Sequence, residues 1–228
     1  MPDLERKFIE DGGVERIIQR SPEFAARLVP LSERERQRES TLSQFDADSD
    51  IWVFGYGSLI WNPILRYSEK RIARIYGYHR AFCQKTYLGR GTPTQPGLMA
   101  GLDRGGSCWG VAYRIATKDV ECETRLLWNR EAPLPVYKPR VLKATTCHGA
   151  ICVITFTANR CPYYYAGPLS IEAQAEQIAR AGGEMGTNAE YLSNLVKSLE
   201  KNGLLKASLK RLHSAVLNRL PEQRNRNA

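Results

Sequence analysis

No apolar run in the sequence approaches the ~18 residues a membrane helix needs, so a spanning protein is not expected. Histidine is scarce: His79, His148 and His213 are the only 3, and none belongs to an H-E-x-x-H pattern. The 6 cysteines, Cys83, Cys108, Cys122, Cys147, Cys152 and Cys161, include no C-x-x-C pair. Neither a metal site nor a disulfide framework is expected, and the cysteines read as small buried hydrophobes. The opening Met1-Pro2-Asp3-Leu4-Glu5 has no basic patch followed by an apolar stretch. A secretory signal is therefore not expected, and the expected setting is cytoplasmic and reducing. Repeats and coiled-coil heptads are missing too.

What is present is an ordinary globular composition: 228 residues, 43% hydrophobic and 25% charged. At roughly 150 residues per domain, one domain with extensions is the natural division. The net charge of +9 is unevenly distributed. Residues 1–50 hold 8 Lys/Arg against 12 Asp/Glu, a balance of −4, which leaves 25 against 12, or +13, for residues 51–228. Such a basic body suits nucleic acid, an anionic small substrate or simple solubility. The Lys/Arg residues are spread without a dense cluster or a nucleic-acid-binding motif, so no nucleic acid partner is expected. Nothing in the sequence bears on oligomeric state.

Three parts follow from the pattern: a charged N-terminal extension at 1–48, a body at 49–219 and a frayed basic tail at 220–228. In the extension, 32–39 reads as an exposed helix with mixed-sign pairs. Its differing charge predicts that the extension is dispensable for chemistry. The first half of the body predicts strands at 51–55, 71–77, 80–87, 107–115, 140–147 and 150–157, with turns at Gly105-Gly106 and His148-Gly149. One helix interrupts them, capped by Asp119 and ending near Glu131 because Pro133 restricts Ala132. From Ser170 the chain reads as helical, with Gly182-Gly183 as a stop and helices at 188–200 and 204–219. Strands first and helices afterwards predict an α+β fold.

Two segments carry candidate chemistry. In Trp52–Trp61 an apolar strand runs into Gly55-Tyr56-Gly57-Ser58. Glycines let main-chain N–H groups crowd around an anion, and they also serve tight hairpin corners; spacing alone leaves both readings open. The second is Arg125–Pro133, where Val120, Thr124, Leu127 and Glu131 share one helical face. Glu131 thus lies on the core stripe and at the negative end of the helix dipole, and both placements raise a carboxyl pKa toward that of a general base. An ion pair with Arg125 or Lys138 is the structural alternative. Leu88–Gly97 reads as a long ordered loop, either a lid carrying Arg90 or a connection. Tyr163-Tyr164-Tyr165 reads as a surface turn or as a phenol aimed into a site.

The run VFGYGSLIW at 53–61 resembles the signature of the ChaC family of γ-glutamylcyclotransferases. Further family-like stretches follow in order: YGYHRAFCQ at 76–84, RGTPTQPGL at 90–98, CWGVAYRI at 108–115 and LWNRE at 127–131. YAGPLSIEAQAEQIARAGG at 165–183 and GTNAEYLSNL at 186–195 extend the resemblance over about 51–216. It implies an α+β fold built on a small closed mixed β-sheet or barrel with flanking helices. The implied activity is cleavage of glutathione to 5-oxoproline and cysteinylglycine without metal or organic cofactor. By motif, the implied substrate loop is Val53, Phe54, Gly55, Tyr56, Gly57 and Ser58. The implied catalytic glutamate is Glu131, and Tyr165 of Y-A-G-P is an implied substrate contact. Asn129 and Ala132-Pro133-Leu134 depart from the glycine-bearing sequence of many eukaryotic members.

That chemistry needs little from a protein. The α-amine of a γ-glutamyl amide reaches its own γ-carbonyl and closes a five-membered lactam, so no Ser/His or Cys/His nucleophile is required. Positioning, one proton carrier and donors for the oxyanion suffice. The rival expectations are a cyclotransferase for γ-glutamyl amino acids or amines, and a non-catalytic regulatory binding protein.

Overall fold

The computed structural model describes residues 5–220, so the expected tail lies, beyond Leu220, outside the described residues. The chain forms two compact units. Of the described residues, one takes 5–80 together with Leu102–Asn159; the other takes Ala81–Gly101 and 160–220.

The first unit contains helices α1 (Arg6–Glu10), α2 (Gly13–Gln19), α3 (Pro22–Ala25) and α4 (Leu31–Leu42), then strand β1 (Ile51–Gly55). Strands β2 (Glu69–Thr86) and β3 (Gly97–Ile115) each pass the boundary between units. Helix α5 (Val120–Glu131) and the hairpin β4 (Tyr137–Thr146) and β5 (Gly149–Ala158) complete the unit. The strands close a barrel in the order β1-β3-β2-β4-β5. β1 pairs antiparallel with β3, Ile51 opposite Ile115, and parallel with β5, Trp52 opposite Val153. The β4–β5 register runs from Tyr137 opposite Ala158 to Thr146 opposite Gly149; the two-residue turn is Cys147-His148, one position before the expected one, because Gly149, at φ 105°, is already paired as the first residue of β5. Ile51, Val53, Ile115, Ile154 and Phe156 of the barrel pack with Leu59 and with Leu127 and Trp128 of α5 in one buried cluster. α5 is thereby pressed onto the barrel by its apolar face, which carries Glu131 at its end.

Several expectations need correction. The strands predicted at 71–77 and 80–87 are one strand, β2, which passes through Gly77 at φ 82°. Gly105 and Gly106, read as a turn, lie within β3 at φ 97° and 70°. Left-handed glycines in a strand mark a bulge, and sheet pairing on both sides carries the chain through it. Asp119 precedes α5 without capping it, because its backbone (φ −105°, ψ −9°) is already turned and its side chain makes no cap bond. Helix α4 is not an exposed charged rod. Arg34 and Arg38 are buried: Arg34 donates to Asn129 Oδ1 (3.0 Å), and Arg38 to Glu121 (2.8 Å) and Thr124 (3.1 Å) of α5. The cysteines also split: Cys83 and Cys108 are buried, but Cys122, Cys147 and Cys152 are exposed, and all six are free.

The second unit holds α6 (Ile171–Arg180), the short pair β6 (Gly182–Gly183) and β7 (Gly186–Thr187), α7 (Asn188–Lys201) and α8 (Ala207–Leu217). Ser170 caps α6 by accepting from the Ala173 amide, as its position predicts. Thr187 and Glu190 form a reciprocal capping box on α7. Asn188, fully buried, accepts from Leu98 N at 2.7 Å and donates to Leu98 O at 2.8 Å. Among the described residues no helix is long and apolar enough to cross a membrane.

Candidate active site

Val53, Phe54 and Gly55 leave the barrel at the end of β1; Tyr56 and Gly57 continue, and Ser58 opens a 3-10 turn through Ile60. The carbonyls of this segment are tied down one by one. Phe54 O accepts from Thr155 Oγ1 (3.0 Å), Tyr56 O from Arg80 Nε (2.6 Å) and Gly57 O from Ile60 N (3.0 Å). Ser58 O accepts from Asn62 N (2.9 Å), and Leu59 O from the Tyr113 hydroxyl (2.9 Å). The Tyr56 hydroxyl is itself spent on Phe156 O at 2.8 Å. Such a loop is fixed before any ligand arrives.

The requirement for glycine at 55 is room. A Cβ there would meet Leu59 Cβ at 2.9 Å and the Tyr113 ring at 3.3 Å. On the neighbouring strand β3, Gly110 leaves space for the Gly55 carbonyl, and a Cβ at 110 would overlap that oxygen. Gly57, at φ −120°, is not left-handed, so the conformational argument from sequence does not apply to it. Burial raises the Tyr113 phenol well above its ordinary pKa, which keeps it a neutral donor to Leu59.

Glu131 closes α5 with a side chain 16% exposed. Burial pushes its carboxyl pKa above the ordinary glutamate value, and the charge of Arg130 opposes that rise. Its ion-pair partner is Arg130, Nε to Oε1 at 3.2 Å, and not Arg125 or Lys138. Arg125 instead turns outward to Glu121 (2.6 Å) and Glu35 (3.5 Å), while Lys138 is exposed on β4. Arg130 also donates to Ser58 Oγ at 2.8 Å and to Asn62 O at 2.7 Å. The glycine loop and the glutamate, 73 positions apart at Ser58 and Glu131, thus meet on one arginine.

The N-terminal helices reach the same region. Arg6 of α1 makes a two-pronged pair with Glu123 of α5 (2.7 and 2.8 Å) and donates to Ile64 O at 3.1 Å. Ile64 takes φ 55°, a left-handed conformation costly for a β-branched residue. Val29 N donates to Pro133 O at 2.9 Å, just past Glu131.

Tyr165 lies in the second unit, where it bridges Gln84 of β2 and its amide donates to Cys161 O at 2.8 Å. Its neighbour Tyr164 is the buried member of the three tyrosines, and Tyr163 stacks near Tyr87 at 5.0 Å. Arg90 is buried as well, donating to Thr187 O (3.2 Å) and Glu190 (3.3 Å), so it anchors the 88–97 loop within its own unit. Sequence reasoning missed Arg130, Arg80 and Tyr113. The Arg130-Glu131 adjacency was visible, but Arg130 falls off the apolar stripe and so carried no signal.

A closed mixed barrel with flanking helices, a pinned glycine loop beside β1 and an acid at the end of α5 define a protein of the γ-glutamylcyclotransferase fold. The fold is similar to that of a solved glutathione-specific γ-glutamyl cyclotransferase from yeast, with a TM-score of 0.68 and 23% identity over 76% of this chain and 98% of that one. The family described as ChaC-like protein matches residues 51–219, and the chain belongs to that family. Among its relatives is the glutathione-specific gamma-glutamylcyclotransferase of Escherichia coli, 37% identical over 86% of this chain and 85% of the relative. Another is the human glutathione-specific gamma-glutamylcyclotransferase 1, 32% identical over 79% of this chain and 84% of the relative.

Proposed function

We propose that this chain cleaves glutathione to 5-oxoproline and cysteinylglycine. The observation that carries the reading is a largely buried, charge-paired Glu131 joined through Arg130 to the Gly55-Tyr56-Gly57-Ser58 loop. The names of its relatives supply the substrate.

In this reading Val53, Phe54, Gly55, Tyr56, Gly57 and Ser58 hold the γ-glutamyl group in a folded conformer. Glu131 takes a proton from the α-ammonium, and the freed amine nitrogen attacks the γ-carbonyl carbon. The new C–N bond closes the lactam ring and leaves a tetrahedral oxyanion. In this reading N–H groups of the loop donate to the negative charge that develops there. The oxyanion then re-forms its carbonyl as the bond to the cysteinyl nitrogen breaks; Glu131 returns its proton to the departing amine, and the second proton shed by the ring nitrogen leaves that amine as an ammonium. A carboxyl with a raised pKa suits both transfers near neutral pH. Positioning alone contributes several of the ~7–11 kcal/mol available to an intramolecular attack. The +13 balance of residues 51–228 draws in a substrate whose two carboxylates outnumber its ammonium.

Tyr165 is assigned a substrate contact on its place in the Y-A-G-P stretch. The catalytic domain is assigned to 49–219, with 1–48 as an extension that packs on α5. Six free cysteines agree with a reducing, cytoplasmic setting. The test is incubation with glutathione, assaying 5-oxoproline and cysteinylglycine in equal amounts. Turnover of γ-glutamyl-alanine in place of glutathione would overturn the substrate assignment, and turnover of neither would overturn the enzymatic one.

A further inference from the structure

Arg130 lies within the LWNRE stretch at 127–131, and its contacts give it a place in the site beside Glu131. Its side chain is 4% exposed, and all three guanidinium nitrogens are committed, each to a different target. Nε faces Glu131 Oε1 at 3.2 Å, one terminal nitrogen donates to Asn62 O at 2.7 Å, and the other to Ser58 Oγ at 2.8 Å. A guanidinium stays charged and has donors only, so Ser58 Oγ must be the acceptor in this contact. The single proton of the serine hydroxyl is then left to donate, and repulsion by the cation directs it away from Arg130. A lysine, a point charge on a flexible stem, cannot span three such acceptors at once.

We propose that Arg130 is the positioning residue of this site: it aims the Ser58 hydroxyl proton at an anionic oxygen of the γ-glutamyl substrate while holding the Glu131 carboxylate in register with it. The inference rests on the glutathione reading of the same site. It adds that glycine loop and proton carrier work as one unit because they share a cation. The charge also limits how far burial can raise Glu131. The other charged or titratable groups around α5 are Tyr56 and Tyr113 on the barrel side, Arg34, Glu35 and Arg38 on α4, and Arg6 on α1. The α4 and α1 groups reach α5 at Glu121, Glu123, Thr124, Arg125 and Asn129, Tyr113 lies in the field of Arg130, and the charge paired with Glu131 itself is Arg130.

The experiment compares the full-length parent, Arg130→Met and Arg130→Lys on glutathione, with kcat and KM measured from pH 5 to 9 and folding checked by circular dichroism. Arg130→Met should lose about 10²-fold in kcat/KM, and its acid limb should move up by about 1–3 pH units because the cation no longer favours the carboxylate. Arg130→Lys should return the acid limb to the parent's position yet remain at least ~10-fold down, since the fork that holds Ser58 is lost. If Arg130→Met does not fold, Arg130→Lys decides: parent-like kcat/KM overturns the proposal, and a loss of at least ~10-fold with an unmoved acid limb supports it. A folded Arg130→Met with an unmoved acid limb makes Arg130 a structural pin and overturns it. An inactive parent contradicts the glutathione reading and removes this inference with it; an active parent with indifferent variants contradicts the inference alone.

Discussion

Arg6→Met would remove one cation from α1 and leave most of the stem's volume in place. The partner, Glu123, has a side chain only 1% exposed and would keep a single bond, from the Arg66 amide at 2.9 Å. Leaving one member of a buried pair uncompensated costs about 3–5 kcal/mol. Arg6 is itself 21% exposed, so water can enter as the guanidinium leaves, and the lower end, about 3 kcal/mol, is expected. For a chain of this size that lowers the unfolding midpoint by about 6–12 °C. Turnover should fall several-fold too, because Arg6 also holds the carbonyl of left-handed Ile64, two residues beyond the Asn62 carbonyl that receives Arg130. The assay is thermal unfolding followed by circular dichroism, paired with 5-oxoproline release. An unchanged midpoint and turnover would refute the claim that the N-terminal helices brace α5. The same contacts set a different expectation for deletion of 1–48 from the one its composition suggests. The truncated protein should be poorly folded and weakly active, because Glu121, Glu123 and Asn129 of α5 lose Arg38, Arg6 and Arg34 together.

Other outcomes follow from the same contacts. Gln in place of Glu131 keeps an oxygen for Arg130 and removes a carboxylate whose folded pKa is raised. The parent should therefore match Glu131→Gln in stability below pH 4.5 and fall progressively behind as pH rises toward the raised value, by denaturant titration at several pH values. Gly110→Ala places a methyl against the Gly55 carbonyl and 2.6 Å from the Phe54 ring, so it should cost about 1–3 kcal/mol by overpacking and disturb the loop. A parent-like urea midpoint would contradict that. Ser58→Ala strands a buried Arg130 donor and removes the proposed substrate contact. It should raise KM more than it lowers kcat, and the reverse pattern in steady-state kinetics would count against a binding role.

Much of the barrel is legible in the sequence because its signals are local. β1 is an apolar run, the β4–β5 hairpin turn is followed by a left-handed Gly149 that opens β5, and α5 stops where Pro133 forbids continuation. Gly77, Gly105 and Gly106 are not legible in the same way, since glycine has the same chemistry in a turn and in a bulge; only the paired strand distinguishes them. Arg34 and Arg38 look solvated in a mixed-charge helix, and their burial depends on partners 83–95 positions away on α5, the acid Glu121 and the neutral Thr124 and Asn129. The Thr187–Glu190 capping box was readable from spacing alone. Of the site, Glu131 and the glycine loop could be found from stripe and motif. The arginine joining them could not, because helical periodicity reports which residues face the core and says nothing about a cation reaching sideways from the last turn.

The central claim is that Glu131 carries the proton in glutathione cleavage. It is tested most directly by turnover of saturating glutathione to 5-oxoproline by the parent and by Glu131→Gln, with glutathione binding to each followed by calorimetry. The account predicts an active parent and a folded variant that binds glutathione with similar affinity but turns it over ~10²–10⁴-fold more slowly. A variant that keeps most of the parent's turnover would contradict it and make Glu131 no more than the structural partner of Arg130.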